Sequence, residues 1–181
     1  MIQPWPLRGS RLLGDFRIFR LRSDLKQSPR TGQPHEFIIL ESAPWVNVIA
    51  VTPDNQLVMI EQYRHGTNTV ELEIPGGLMD AADASPVAAG ERELREETGY
   101  AGERAEILGQ IHPNPAIQNN TCYTVWVHDC RRQYPVDWDQ GEDLATRLVP
   151  VAELAGLVAD GTIRHALVAV ALYYFDLRRR Q

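Results

Sequence analysis

The sequence predicts an α/β protein in which helices cover both faces of a mixed β-sheet, an α/β/α sandwich with an N-terminal β-hairpin appendage. Three observations carry that expectation. The elements run strands, helix, strands, helix, helix, an order that suits layered α/β packing. A capped helix stands mid-chain, opened by Ser85-Pro86 and closed by Gly99. Two alternating segments precede Pro44 and have no obvious place in a compact sandwich. The expected organisation is therefore an appendage over residues 1–43 and a main domain over 44–181.

Phe16–Leu21 (FRIFRL) alternates apolar and basic residues and reads as a strand. Residues 23–34 read as turn and loop, and His35–Ser42 as a second strand. Trp45–Val51 and Gln56–Tyr63 read as strands joined by the turn Thr52-Pro53-Asp54-Asn55. Val70–Ile74 is a further strand that leads into Pro75-Gly76-Gly77. The helix that follows spans about three and a half turns. Ile107–Ile111 is a strand candidate, and the prolines and asparagines of His112–Asn120 make that stretch a loop. Thr121–Val127 is a strand, Arg131–Gly141 a polar loop and Leu144–Val149 a short strand. Val151–Ala159 reads as a helix closed by Gly161. Thr162 is a candidate cap for a last helix, with an apolar stripe of Ile163, Ala166, Leu167, Val170, Ala171, Tyr174 and Leu177.

With 181 residues, 44% of them hydrophobic, the chain suffices for one domain with a real core. A formal net charge of −6 argues against a general nucleic-acid or anionic-membrane surface. It does not argue against a phosphate substrate, because a bound cation and a few arginines invert the local field. The two cysteines, Cys122 and Cys130, form no disulfide framework and are expected as thiols in the reducing cytoplasm. No signal peptide is read at the N-terminus, and the longest apolar run, Ala166–Phe175, is too short to span a bilayer.

The chemistry concentrates in the mid-chain helix. Glu93, Glu96 and Glu97 stand at i, i+3 and i+4, so their carboxylates share a face. They lie in the last turns, where the helix dipole favours cations. Each like-charge pair and each misplaced anion costs some tenths of a kcal/mol. A hard divalent cation reverses that sign, and Mg²⁺ is the usual choice beside phosphates. The plainer alternative is a solvated acidic face, which the i,i+4 pair Arg92–Glu96 would suit.

Gly77 to Tyr100 resembles the Nudix box, G-x5-E-x7-R-E-U-x-E-E-x-G-U, with U aliphatic or aromatic. Arg92, Glu93, Leu94, Glu96, Glu97, Gly99 and Tyr100 match every fixed position of its second half. The first half departs: Asp83 stands where Glu is expected, and the box runs 24 residues rather than 23. The extra residue is placed at Asp83–Ser85, because an insertion inside the helix would rotate the carboxylates off their face. The resemblance implies a Nudix-type α/β/α sandwich with a mixed sheet. It also implies metal ligation by Glu93, Glu96, Glu97 and the Gly76 carbonyl, with Mg²⁺ (or Mn²⁺) as cofactor. Arg92 then orients a glutamate, and Asp83 supports the loop.

Further features are similar to the branch that cleaves ADP-ribose and other nucleoside diphosphate sugars. Arg64, in Gln62-Tyr63-Arg64, is the candidate for substrate phosphate, which a guanidinium fork matches. Glu73 before Pro75-Gly76-Gly77 fits the same branch, as does Pro115, 15 residues past Tyr100. Glu142 in Gly141-Glu142-Asp143-Leu144 is the general-base candidate, with Asp139 and Asp143 as rivals. Trp45 and Trp5 are candidate base-stacking residues. The implied activity is hydrolysis of a nucleoside diphosphate sugar, ADP-ribose giving AMP and ribose 5-phosphate. The rivals are a dinucleoside polyphosphate or nucleoside triphosphate hydrolase, and a non-catalytic nucleotide-sugar-binding module. The expected partners are a small nucleotide-sugar substrate and a second copy of the chain, with no nucleic acid and no membrane.

Overall fold

The computed structural model describes residues 1–181, which form two compact units: 1–44 with 112–121, and 45–111 with 122–181. The first unit is built on a three-stranded antiparallel sheet of β1 (Leu7–Asp15), β2 (Arg20–Gln27) and β3 (Pro34–Glu41), in that order. The expected hairpin is thus a meander with one strand more. Phe16–Leu21 is not one strand. Phe16–Phe19 is the β1–β2 turn, with Arg17 at φ 67° and the Phe16 N–H donating to Phe19 O at 2.9 Å. The first part of the expected loop 23–34, up to Gln27, belongs to strand β2, whose alternation is obscured by Ser23, Asp24 and Lys26. Within this unit Leu40 N–H donates to Ile117 O, and Asn119 N–H to Leu40 O, so the 112–121 loop is tied to β3.

The second unit holds two larger sheets and one two-stranded antiparallel ribbon. β4 (Trp45–Ala50), β5 (Gln56–Arg64), β6 (Thr69–Glu73) and β7 (Gly76–Leu78) precede helix α1 (Pro86–Thr98). β8 (Tyr100–Ala101), β9 (Arg104–Ile111), β10 (Cys122–His128), β11 (Arg131–Arg132) and β12 (Leu144–Pro150) follow it. One sheet runs β7-β4-β10-β9 and is mixed: β4 and β10 are parallel, and the outer pairings antiparallel. The other runs β12-β5-β6 and is antiparallel. A 3₁₀ turn (Val151–Glu153) leads into α2 (Leu154–Ala159), and α3 (Ala166–Arg179) ends the chain.

Strand periodicity divides the core. Val48 and Ala50 of β4 pack in one cluster with Leu94 of α1, Val125 and Val127. Ile49, between them, points into the other, with Met59, Val168, Leu172 and Phe175. Both faces of β4 are therefore buried, and α1 and α3 belong to different clusters, as an α/β/α sandwich requires.

The last helix differs from expectation in start and in phase. Thr162 caps nothing; its own N–H donates to Asp160 Oδ1 at 2.9 Å, and α3 starts at Ala166. Val168, Ala171, Leu172 and Phe175 are buried, whereas Ala166 and Leu177 of the expected stripe are exposed. The segment is apolar on two stripes, and packing on Trp126 and the sheet selects the one that holds Phe175.

Candidate active site

Helix α1 is set by its ends. Ser85 Oγ accepts from Ala88 N–H at 3.1 Å, Pro86 occupies the first turn, and Gly99 adopts the left-handed conformation at φ 74°. A side chain at Gly99 would meet the Tyr134 carbonyl, so glycine is required twice over. Leu94 and Ala89 fix the buried face, and Glu97 lies on that face too, 2% exposed.

The strand β7 runs against this carboxylate edge. Gly76 N–H donates to Glu97 Oε2 at 3.0 Å. A Cβ at Gly76 would strike the Val46 carbonyl, and one at Gly77 would lie 2.7 Å from Glu93 Oε1. Only glycine lets this backbone pass between β4 and the helix carboxylates.

Arg92 is the hub of the cluster. Its Nε and Nη2 bind the two oxygens of Asp83 at 3.1 and 3.0 Å, and Nη2 also reaches Leu78 O at 3.1 Å. Nη1 donates to Glu93 Oε1 at 3.0 Å and Glu96 Oε2 at 2.9 Å. The Arg92 fork holds the Asp83 carboxyl below its ordinary range. Burial dominates at the other two acids. It pushes Glu93 up to about 7 against the pull of Arg92. It raises Glu97 well above the ordinary value, with the Glu93 charge adding to the rise and the Gly76 N–H opposing it.

These residues fit a hard divalent cation by the chemistry of the donor set. Glu93, Glu96 and Glu97 offer only carboxylate oxygens, and two of the three are under-compensated as anions. Arg92 bridges Glu93 and Glu96, and no group of three or more His, Cys, Asp or Glu side chains stands close enough to hold a metal as it is.

Arg64, at the end of β5, gives Nε and Nη2 to the two oxygens of Glu73 at 2.7 and 2.8 Å. Nη1 is left without a protein partner. The bond to Glu73 raises the Arg64 pKa, and the Glu97 and Glu142 charges add to it, so Arg64 lies within the electrostatic reach of these acids. Glu73 is buried, with His165 Nδ1 3.6 Å from its second oxygen. Glu142 is half-buried; its Oε2 accepts from Asp139 N–H at 3.0 Å, and its charge acts on Glu93 and Glu97. The structure thus brings Arg64, Glu73, Glu93, Glu97 and Glu142 into one electrostatic neighbourhood, and Asp139 and Asp143 are exposed beside it.

Trp45 joins none of these bonds. It is half-buried at the start of β4, paired with Leu78 and Cys122. Trp5 belongs to the first unit, edge-on to His35 and Phe37 at 5.6 and 5.5 Å. Two residues absent from the sequence reading touch the group: His165, beside Glu73, and Trp138, whose indole N–H donates to Glu97 O at 2.9 Å. The signal for Trp138 was a tryptophan in a polar loop four residues before Glu142.

Comparison with known proteins identifies the family and the fold. A protein-family model described as NUDIX domain matches residues 41–169. A methanol dehydrogenase activator of Bacillus methanolicus is 36% identical over 163 residues, 90% of this chain and 87% of the relative. An ADP-ribose pyrophosphatase of Mycobacterium tuberculosis is 27% identical over 151 residues, 83% of this chain and 72% of the relative. The crystal structure of an ADP compounds hydrolase superposes with a TM-score of 0.86 over 99% of this chain and 96% of that one, at 22% identity, and so shares the fold.

Proposed function

Because the chain belongs to the NUDIX domain family and is a hydrolase of phosphorus-containing anhydrides, we propose that its substrate is a nucleoside diphosphate sugar. The proposed reaction is ADP-ribose plus water to AMP and ribose 5-phosphate, with Mg²⁺ as cofactor and Mn²⁺ as a substitute. The observation that carries the reading is the gathering of Glu93 and Glu97 on the Gly76-Gly77 strand, with Arg64 within reach of their charge. Similarity to the ADP-ribose pyrophosphatase of M. tuberculosis supports the choice of sugar nucleotide.

Glu93, Glu96 and Glu97, with the Gly76 carbonyl, would hold the metal. When bound, it neutralises phosphate oxygens and makes its water more acidic. Arg92 and Asp83 set the glutamate rotamers. The free Nη1 of Arg64 donates to a diphosphate oxygen, while Glu73 keeps the guanidinium plane fixed. Glu142 accepts the proton of the attacking water as its oxygen bonds to phosphorus. The bond from that phosphorus to the bridging oxygen breaks, and the bridging oxygen leaves with the other phosphate. Trp45 is the proposed stacking residue for the base.

The active form is proposed to be a cytoplasmic homodimer. The first unit exposes Leu7, Leu12, Leu13, Phe16 and Ile18, an apolar set that a second copy would cover. Both cysteines are free and buried, which suits a reducing compartment. No helix is long and apolar enough to cross a membrane.

The test is a substrate panel of ADP-ribose, GDP-mannose, diadenosine polyphosphates and nucleoside triphosphates with Mg²⁺. ADP-ribose should show the highest kcat/KM. Preference for a triphosphate or dinucleoside polyphosphate would overturn the choice, and binding without turnover would identify a sensor. The 36% identity to a dehydrogenase activator favours one second reading, activation of a dehydrogenase. Adding the protein with Mg²⁺ to a methanol dehydrogenase assay decides it.

A further inference from the structure

The segment between β11 and β12 wraps the C-terminal end of α1 and supplies donors in series. The last carbonyls of a helix have no partner within it. Here Gly99 N–H serves Arg95 O at 2.8 Å, Asp137 N–H serves Glu96 O at 2.8 Å, and the Trp138 indole N–H serves Glu97 O at 2.9 Å. Gln133 and Tyr134 N–H both reach Gly99 O, at 2.9 and 3.0 Å, and the Arg95 guanidinium lies 5.7 Å over the Tyr134 ring. The two carbonyls taken by the loop belong to Glu96 and Glu97, two of the acids assigned to the metal.

Beyond Trp138 the chain makes one tight turn. Glu142 N–H donates to Asp139 O at 2.9 Å, and Asp139 N–H returns a bond to the Glu142 carboxylate at 3.0 Å. Leu144 is then buried and pairs with Gln62 of β5, the strand that ends at Arg64. The Glu142 turn is therefore fixed on one side to α1 and on the other to β5. Trp138 is 40% exposed and absent from both core clusters. Core packing does not explain it, and its one polar bond does.

We propose that Trp138 is a positioning residue, latching the Glu142 turn to the Glu97 carbonyl so that the base is held over the carboxylate site. The latch acts through Glu142 and rests on the reading of that residue as general base. It has no contact with substrate. It makes the position of the base follow the backbone of the helix that carries the metal ligands, so the two parts of the site move together.

Trp138→Phe keeps an aromatic ring and removes the donor, and Trp138→Leu is a second variant without it. Hydrolysis of ADP-ribose with Mg²⁺ is measured for wild type, W138F, E142Q and W138F/E142Q. W138F should lower kcat roughly tenfold with KM within about twofold, the signature of a misplaced catalytic group. In the E142Q background W138F should change kcat by less than about twofold, because residues acting as one unit are not additive. Amide hydrogen exchange over residues 139–143 should quicken in W138F and W138L while α1 keeps its protection. E142Q impaired beside W138F at wild-type kcat overturns the latch alone. Equal fractional loss from W138F in both backgrounds overturns it too, because the indole then acts on something other than the base. E142Q at full kcat overturns the base assignment, and the latch with it.

Discussion

Asp83 grips Arg92 with both carboxylate oxygens, at 3.1 Å from Nε and 3.0 Å from Nη2. The shorter acid and the one-residue longer loop still deliver a carboxylate to the arginine that holds Glu93 and Glu96. The pair is largely shielded, with the Asp83 side chain 8% exposed. Asp83→Ala should cost about 2 kcal/mol, the scale for a hydrogen bond to a charged group. It should also lower turnover, because Arg92 loses its anchor. Urea denaturation and steady-state kinetics check both; an unchanged midpoint with unchanged kcat would contradict the role.

The raised carboxyls make the metal-free protein pH-sensitive. Glu93 moves from an ordinary 4.5 to about 7, and Glu97 rises as well. Between those values the folded state holds protons that the unfolded chain has released. Glu93 therefore contributes stability fully below pH about 4.5, and its contribution is lost as pH rises through about 7; the raised Glu97 acts with the same sign. For Glu93 the size is on the order of 3 kcal/mol. Melting temperatures in a chelator, wild type minus Glu93→Gln, should fall between pH 5 and pH 7.5, and Mg²⁺ should flatten the fall. A difference that does not vary with pH would refute this.

Arg64 has a structural duty as well as the proposed substrate contact. Removing it leaves Glu73, 3% exposed, without its fork. Arg64→Ala should raise KM for ADP-ribose and destabilise the fold by about 2 kcal/mol, discounted for the partly exposed arginine. Adding Glu73→Gln should recover most of the stability and none of the KM. Recovery of both would show that Arg64 only supports Glu73.

Removal of residues 1–43 should yield a monomer with weakened substrate affinity, since the exposed Leu7, Leu12 and Phe16 face leaves with the segment. Light scattering at micromolar concentration is the check. A full-length protein that is monomeric and fully active would sink the homodimer.

What could be read from the sequence was local. Ser85, Pro86 and Gly99 act within a few residues, and α1 spans Pro86–Thr98 as its caps dictate. β4, β5 and β10 alternate or run apolar and lie within a residue or two of expectation. β1 was missed because LRGSRLLGD has two glycines and no steady alternation. The α3 stripe was placed out of phase because apolar residues fill two faces, and only packing chooses between them. At the site, the carboxylate spacing on α1 was visible at once. The bond from Trp138 to Glu97 spans 41 residues, and no spacing rule reaches so far. The commitment of two Arg64 nitrogens to Glu73 was likewise invisible until β5 and β6 were paired.

The central claim is that carboxylates on α1 carry metal-dependent hydrolysis, and Glu96→Gln addresses it most directly. Glu96 is the least buried of the three, and its ion pair with Arg92 is partly solvated, so the fold should hold within about 0.5 kcal/mol. Release of AMP from ADP-ribose is followed at saturating Mg²⁺ for wild type and variant. The account predicts an active wild type and a variant slower by roughly a hundredfold or more. A folded variant that retains near-full Mg²⁺-dependent turnover would contradict it.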